Sequence, residues 1–370
     1  MGDPATIAAR VAEAFQANLP AELGAAVAVY LDGEEILSLA GGFTTRERTH
    51  PWTTATLAPV YSATKGPASA CVLLALHDHG LDPDTAVARL WPKMPPHLTV
   101  GELLSHQGGL AALDRAADVF DHDGVAAALE EQTPAWGPPE HGYHPRTFGY
   151  LADELVRRLT GAPSLGHYWH ETIAAPHRID FWIGLPESEH SRVATLIPGR
   201  PDIAPDEQEF YNAFNDNRSE VRRAFISPRG LHSVAEMNQP RAWTAGLPGF
   251  GGIGSAAGLA RFYGLLACGE ILPAPALAWA RHRLVNGPDR ILRLPTAFSC
   301  GFMLDPLGPD GQKLRHHFGS GHYAFGHPGA GGSHAFADPT RRLGFAYVMN
   351  QMALAVLPHE RALRLVRALG

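Results

Sequence analysis

Strand patterns lie towards both ends of this chain, and helical patterns fill its middle. Near the start, Ala25-Ala26-Val27-Ala28-Val29-Tyr30 and Glu35-Ile36-Leu37-Ser38-Leu39-Ala40 flank Asp32-Gly33, a pair that tolerates the positive φ of a tight hairpin turn. From Phe298 the β character returns, in Cys300 to Leu304, Ala335 to Ala337 and Gly344 to Met349. That order predicts an antiparallel sheet assembled from both chain ends, flanked by helices, with a mainly helical region inserted between them. The fold class is α/β of the α+β type. Residues 1–75 and 255–370 are assigned to the sheet domain, and 76–254 to a helical domain with loops covering a pocket. A length of 370 residues suffices for one large domain or two intertwined ones.

Several helices read directly. Ile7, Val11, Ala14 and Phe15 share one face of a first amphipathic helix. Thr99 caps Val100 to Leu104, with Glu102 at the capping-box position. Ser105-His106-Gln107-Gly108-Gly109-Leu110 leads into an Ala-rich helical stretch, which Trp136-Gly137-Pro138-Pro139 breaks. Tyr150 to Leu159 is amphipathic with Gly161 as its stop, and His359 to Leu369 is a closing helix. Ile179 to Pro248 reads as long loops and short helices.

One short stretch carries chemistry. Ser62-Ala63-Thr64-Lys65 stands at the mouth of the apolar run Ala68 to Leu76, with Pro67 tolerated in the early turns, so Ser62 is expected at the N-cap or in the first turn of a buried helix. Positions i and i+3 share a helix face, which brings the Lys65 amine to the Ser62 hydroxyl. A serine becomes a nucleophile when a base takes its proton, and a lysine serves as that base when burial or nearby positive charge lowers its pKa. The chain's basic residues are nearly all arginine; its three lysines are Lys65, Lys93 and Lys313. A lysine at this position is therefore a poor fit to surface filler.

Two further stretches supply partners. In His141-Gly142-Tyr143-His144-Pro145, Tyr143 sits in a turn before a helix, where a phenol beside an activated serine relays a proton; a core tyrosine at a helix start has the same pattern. In Phe325-Gly326-His327-Pro328-Gly329-Ala330-Gly331-Gly332-Ser333, small residues let a ligand approach the backbone, and the Ala330 amide is a candidate second donor beside that of Ser62 for a tetrahedral oxyanion. A glycine-rich turn between strands reads the same way. Tyr61, Trp136, Trp182 and Phe250 are candidates for an apolar pocket and equally for the core.

Taken in order, these stretches resemble the serine β-lactamase-like superfamily, in particular the group of class C β-lactamases, DD-peptidases and family VIII carboxylesterases. The resemblance covers nearly the whole chain. It implies a serine acyl-enzyme mechanism without a cofactor, with Ser62 as nucleophile and Lys65 as its base partner. Tyr143 matches the tyrosine of the family's Tyr-x-Asn motif, and His327-Pro328-Gly329 matches its Lys-Thr-Gly strand, which makes His327 and Gly329 substrate-binding candidates. Two departures stand out. Tyr143-His144-Pro145 lacks the asparagine, and His327 replaces a permanent cation with an imidazole. Both lean towards the esterase branch and away from β-lactam and D-Ala-D-Ala substrates. Arg341 and Arg342 are candidates to replace the lost charge. The expected activity is a serine hydrolase acting on small-molecule esters, with acyl transfer to an amine or alcohol, a β-lactamase or DD-peptidase activity, or an inactive binding protein as alternatives.

Other readings are set aside. A net charge of −7 gives no support to nucleic-acid or anionic-membrane binding. Met1-Gly2-Asp3-Pro4 is not a basic region leading into an apolar core, and no apolar run is long enough to span a bilayer, so a cytoplasmic protein is expected. Cys71, Cys268 and Cys300 read as buried thiols. His316, His317, His322, His327 and His334 lack metal-ligand spacing, and no metal is expected. Gly249-Phe250-Gly251-Gly252-Ile253-Gly254 matches a dinucleotide fingerprint but has no buried strand before it, so it is read as a pocket-lining loop.

Overall fold

A computed structural model describes residues 3–199 and 203–370; Met1 and Gly2, on which part of the targeting argument rests, lie outside them. Its centre is an eight-stranded antiparallel sheet. In chain order the eleven strands are β1 (Gly24–Leu31), β2 (Glu34–Gly42), β3 (Ala58–Pro59), β4 (Phe181–Ile183), β5 (Gly252–Gly254), β6 (Val285–Pro288), β7 (Pro295–Phe298), β8 (Met303–Leu304), β9 (Phe325–Pro328), β10 (His334–Asp338) and β11 (Leu343–Met349). The large sheet runs β2-β1-β11-β10-β9-β8-β7-β6, so the N-terminal hairpin zips onto the last strand, with Ala25 opposite Met349 and Leu31 opposite Leu343. The hairpin turn falls on Asp32 and Gly33, whose φ values are 52° and 82°.

Both faces of the sheet are covered, and β1 shows how the sequence arranges this. Successive side chains alternate between faces. Ala26, Ala28 and Tyr30 enter one core, shared with helices Lys65–Asp78 and Ala256–Cys268. Ala25, Val27, Val29 and Leu31 enter the other, shared with helices Pro4–Asn18 and Glu360–Ala368. Helix Ala256–Cys268 lies so close to β11 that a Cβ on Gly344 would come 2.1 Å from the Gly264 nitrogen.

The capping box at Thr99 and the left-handed stop at Gly161, which ends helix Thr147–Thr160, form as the sequence predicts. Elsewhere the structure corrects the reading. Residues 105–121 are irregular, and the Ala-rich stretch becomes helical only over His122–Glu131, where Asp121 supplies the N-cap. The loop-rich stretch Ile179 to Pro248 contributes β4, which joins β3 and β5 in a second sheet of order β3-β5-β4. The terminal β region starts at Val285, before Phe298, with two strands too short to show a period. Cys71 and Cys300 are buried, but Cys268 at the end of its helix is only partly so. No helix among the described residues is long and apolar enough to cross a membrane.

Candidate active site

The site forms where the start of the Lys65–Asp78 helix meets the end of β9. Ser62 is not the N-cap. It is the second residue of a 3₁₀ turn, Tyr61–Thr64, that runs directly into the α-helix at Lys65. The turn opens at Tyr61 with φ of 48°, a left-handed conformation that costs a non-glycine residue about 1–3 kcal/mol and persists only where surrounding contacts enforce it. Two such contacts are visible. The Val60 amide donates to the Gly252 carbonyl at 3.0 Å, and the Thr64 hydroxyl donates to the Tyr61 carbonyl while accepting from the Gly252 amide. The glycine-rich segment thus carries a strand, β5, that braces the turn.

Lys65 is completely buried, and no carboxylate faces it. Its Nζ donates to the Pro145 carbonyl at 2.8 Å and the Gly249 carbonyl at 2.7 Å, and stands 3.3 Å from Ser62 Oγ. Burial, and then the Arg146 guanidinium, push its pKa well below the usual 10.5. A neutral amine has two N–H bonds and one lone pair. In that form the two carbonyls take up both N–H bonds and leave the lone pair for the Ser62 hydroxyl. Pro145 occupies the third position of the Tyr-x-Asn pattern: it offers a substrate no side-chain donor and gives its carbonyl to Lys65.

Tyr143 closes the other side. Its ring lies 4.8 Å from Lys65 Nζ and stacks on Phe298, with 6.1 Å between ring centroids and planes 8° apart. Its hydroxyl is buried without a formed hydrogen bond. Burial raises its pKa, the Ser62 side chain acts to lower it, and Asp289 adds to the rise. The backbone at Tyr143 is pinned by Asp289, whose Oδ1 accepts from the amides of Tyr143, Ile291 and Leu292 at 2.8 to 3.0 Å and whose Oδ2 accepts from the Thr296 hydroxyl.

His327 is buried on β9, its ring 5.7 Å from that of Tyr143. Nδ1 lies 2.7 Å from the Pro328 carbonyl. Gly329 then packs against the start of the Tyr61–Thr64 turn so tightly that a Cβ there would come 2.0 Å from the Val60 oxygen. In the loop that follows, the amides of Gly329, Gly331 and Gly332 all donate to carbonyls, whereas that of Ala330 meets no acceptor among the described residues. The Ser62 amide lies in the first turn of its helix, where no intrahelical carbonyl reaches it.

The remaining predicted residues separate. Tyr61 is partly exposed beside Arg146, and Phe250 lies under the Arg146 guanidinium at 4.7 Å. Trp136 sits in the second core, donating from Nε1 to the His106 carbonyl, and touches His144 rather than Ser62. Trp182 stacks on His170 and lines a separate cavity of about 840 Å³ with His122, Asp153 and Arg157, which includes none of the other predicted residues. Arg341 holds carbonyls at Leu369 and Gly370, and Arg342 pairs with Asp32 at the hairpin turn, so neither replaces the missing cation. The histidines of the 316–334 stretch diverge: His322 is exposed, His327 faces Tyr143, and His334 donates to the His317 carbonyl.

Sequence reasoning did not assign Asp289, Arg146 or His106. His106 is buried at φ 67° with its ring centroid 5.0 Å from that of Tyr143 in an edge-on arrangement, and its presence in the Ser105–Leu110 segment was the one available signal. Its Nδ1 accepts from the His144 amide, while His144 accepts from Leu110 and contacts the Gly142 carbonyl. Both imidazoles are held neutral by burial: His106 falls well below the usual 6.5, and His144 to about 3.

Known proteins carry the same scaffold. In Mycobacterium tuberculosis (strain ATCC 25618 / H37Rv), the protein named Esterase/beta-lactamase LipL is 30% identical over 378 residues, spanning 95% of this chain and 83% of its own. A crystal structure of a family VIII carboxylesterase superposes with a TM-score of 0.86 at 32% identity, covering 100% of this chain and 98% of the other. A penicillin-binding protein homolog from Caulobacter crescentus gives 0.82 at 35% identity, covering 98% and 96%. The family description Beta-lactamase matches residues 11–369. With an antiparallel sheet flanked by helices, a Ser-x-x-Lys turn and relatives along its whole length, this chain belongs to the beta-lactamase family.

Proposed function

We propose that this serine hydrolase scaffold works as a carboxylesterase that forms an acyl-enzyme on Ser62. The observation that carries this reading is the buried Lys65 amine, held by two carbonyls with its third position towards Ser62 Oγ. Lys65 takes the Ser62 proton, and Oγ attacks the ester carbonyl. The oxyanion rests on the Ser62 and Ala330 amides; one such donor is typically worth about 10²–10³ in rate. Tyr143, kept as a phenol by burial, protonates the departing alcohol. Water then releases the acid by the reverse sequence. Pro145 in place of an amide-holding asparagine, and an imidazole in place of a lysine cation, favour simple esters over β-lactams. The similar family VIII carboxylesterase supports the same choice, while LipL is named for both activities.

A second reading, acyl transfer to an alcohol or amine, is favoured by the burial of Lys65, Tyr143 and His327, since a dry site slows the competing water. Brief acid quench with p-nitrophenyl butyrate followed by intact-protein mass tests the core claim. A butyryl adduct is expected on the wild type and not on Ser62→Ala. An equal adduct on both proteins, or unchanged p-nitrophenol release, would sink the Ser62 mechanism.

A further inference from the structure

The hydrogen-bond geometry of His327 fixes its tautomer. A carbonyl oxygen only accepts, so the 2.7 Å contact with Pro328 places the proton of the neutral ring on Nδ1. Nε2 then carries a lone pair and no hydrogen. That atom is fully buried and has no partner. An unsatisfied buried acceptor is costly unless a ligand completes it. The groups around the ring are Lys65, the Pro328 carbonyl, His334, His106 and Tyr143. Lys65 Nζ donates to two carbonyls and His334 Nε2 to the His317 carbonyl, and the neighbouring Tyr143 hydroxyl and His106 Nε2 form no hydrogen bond, so none of them supplies the missing donor.

Its position says which part of a substrate meets it. The ring stands beside Tyr143, the residue placed to protonate the departing oxygen, and so on the alcohol side of the scissile bond. Where the family resemblance implies a lysine, which as a cation only donates, this chain presents an acceptor. We propose that His327 Nε2 receives a hydroxyl of the alcohol portion, making esters of hydroxylated alcohols the preferred substrate class; this rests on the Ser62 acyl-enzyme reading. That second hydroxyl keeps its proton throughout. The reacting oxygen alone changes bonds: its bond to the acyl carbon breaks as the Ser62 Oγ bond forms, and it leaves carrying the proton that Ser62 gave up, through Lys65 and Tyr143. By microscopic reversibility, the same acceptor favours diols over simple alcohols when the acyl-enzyme is captured.

The test compares kcat/KM for 2-hydroxyethyl butyrate and propyl butyrate, which are nearly equal in size. The wild type is expected to prefer the hydroxyethyl ester by about five-fold, the effect of one net neutral hydrogen bond. His327→Leu should bring the ratio to about one, and His327→Gln, which retains an acceptor oxygen, should keep part of the preference. A ratio near one in the wild type overturns the proposal, as does an undiminished ratio in folded His327→Leu. If the leucine variant does not fold, equal ratios in wild type and His327→Ala overturn it instead. The p-nitrophenyl butyrate adduct keeps the two claims apart. Its absence from the wild type defeats the acyl-enzyme reading itself, while an adduct with no His327-dependent preference defeats this inference alone.

Discussion

Asp289 Oδ1 accepts the Tyr143 backbone amide at 3.0 Å, and so ties the proposed proton donor to the turn after β6. The same oxygen also caps the Ile291 and Leu292 amides, and the neighbouring one holds Thr296. Removing the carboxylate leaves these buried donors unpaired, at roughly 1–3 kcal/mol each before relaxation. Asp289→Ala is therefore expected to lower the melting temperature and to cut kcat about 100-fold with a much smaller change in KM. Asp289→Asn keeps one acceptor oxygen and should recover most of the stability. Steady-state kinetics with thermal melts separate the two effects; a variant with wild-type kcat would show that Tyr143 needs no such anchor.

Lys65 should act as a neutral amine. Lys65→Arg keeps charge and hydrogen-bond donors but has no lone pair to offer at any working pH. Both Lys65→Arg and Lys65→Met are expected to lose about 10³-fold or more in kcat/KM. The wild type should gain activity with rising pH through the lowered Lys65 value and already be near its plateau well below 10.5. Stability has the same sign. Between the lowered folded value and 10.5 the unfolded chain holds a proton that the folded one lacks, so raising pH stabilises the fold across that window. Urea midpoints of the wild type, set against those of Lys65→Met, check this; equal pH slopes would refute it.

Gly329 tests the fit between the two halves of the site. An alanine Cβ there would lie 2.0 Å from the Val60 oxygen, a backbone atom that cannot swing aside. The loop carrying Ala330 must then retreat from Ser62. Gly329→Ala is expected to lose at least about 100-fold in acylation rate, read as the p-nitrophenol burst, because both proposed oxyanion donors are displaced relative to each other. An unaffected burst would remove Ala330 from the oxyanion site.

The buried imidazoles predict acid lability. His144 is lowered from 6.5 to about 3 and His334 to about 4, with His106 and His327 also well below 6.5. Each is neutral in the fold and binds a proton more readily once unfolded. Their contribution is complete above 6.5 and is lost as pH falls towards the folded values. Stability should drop steeply between about pH 6.5 and 4, and His334→Gln should flatten that slope. Denaturant titrations at several pH values measure it directly.

The parts of this molecule legible in the sequence are those set by neighbours along the chain. Asp32-Gly33 announces a hairpin because the turn needs positive φ at both positions, and Thr99 with Glu102 closes a box three residues wide. Ser62 and Lys65 lie one helical turn apart, so their meeting is local as well. Tyr143 and Asp289 are 146 positions apart, and no pattern in either stretch names the other. The strands β6 and β7 hold four residues each and carry prolines, too short and too interrupted for a period-two signal. The tautomer of His327 depends on where one backbone carbonyl points, which a residue string does not encode.

The contact between Gly329 and the Val60 carbonyl has a temporal consequence. The Tyr61–Thr64 turn is synthesised long before the strand it leans on, with about 260 residues made in between. Closing so long a loop comes late in folding. Ser62 and Lys65 can share a helical turn on the ribosome, yet the second wall of the site is missing until β9 docks. The growing chain thus carries a serine and a lysine side by side with no formed pocket, and reactivity towards esters should switch on only once β9 has docked.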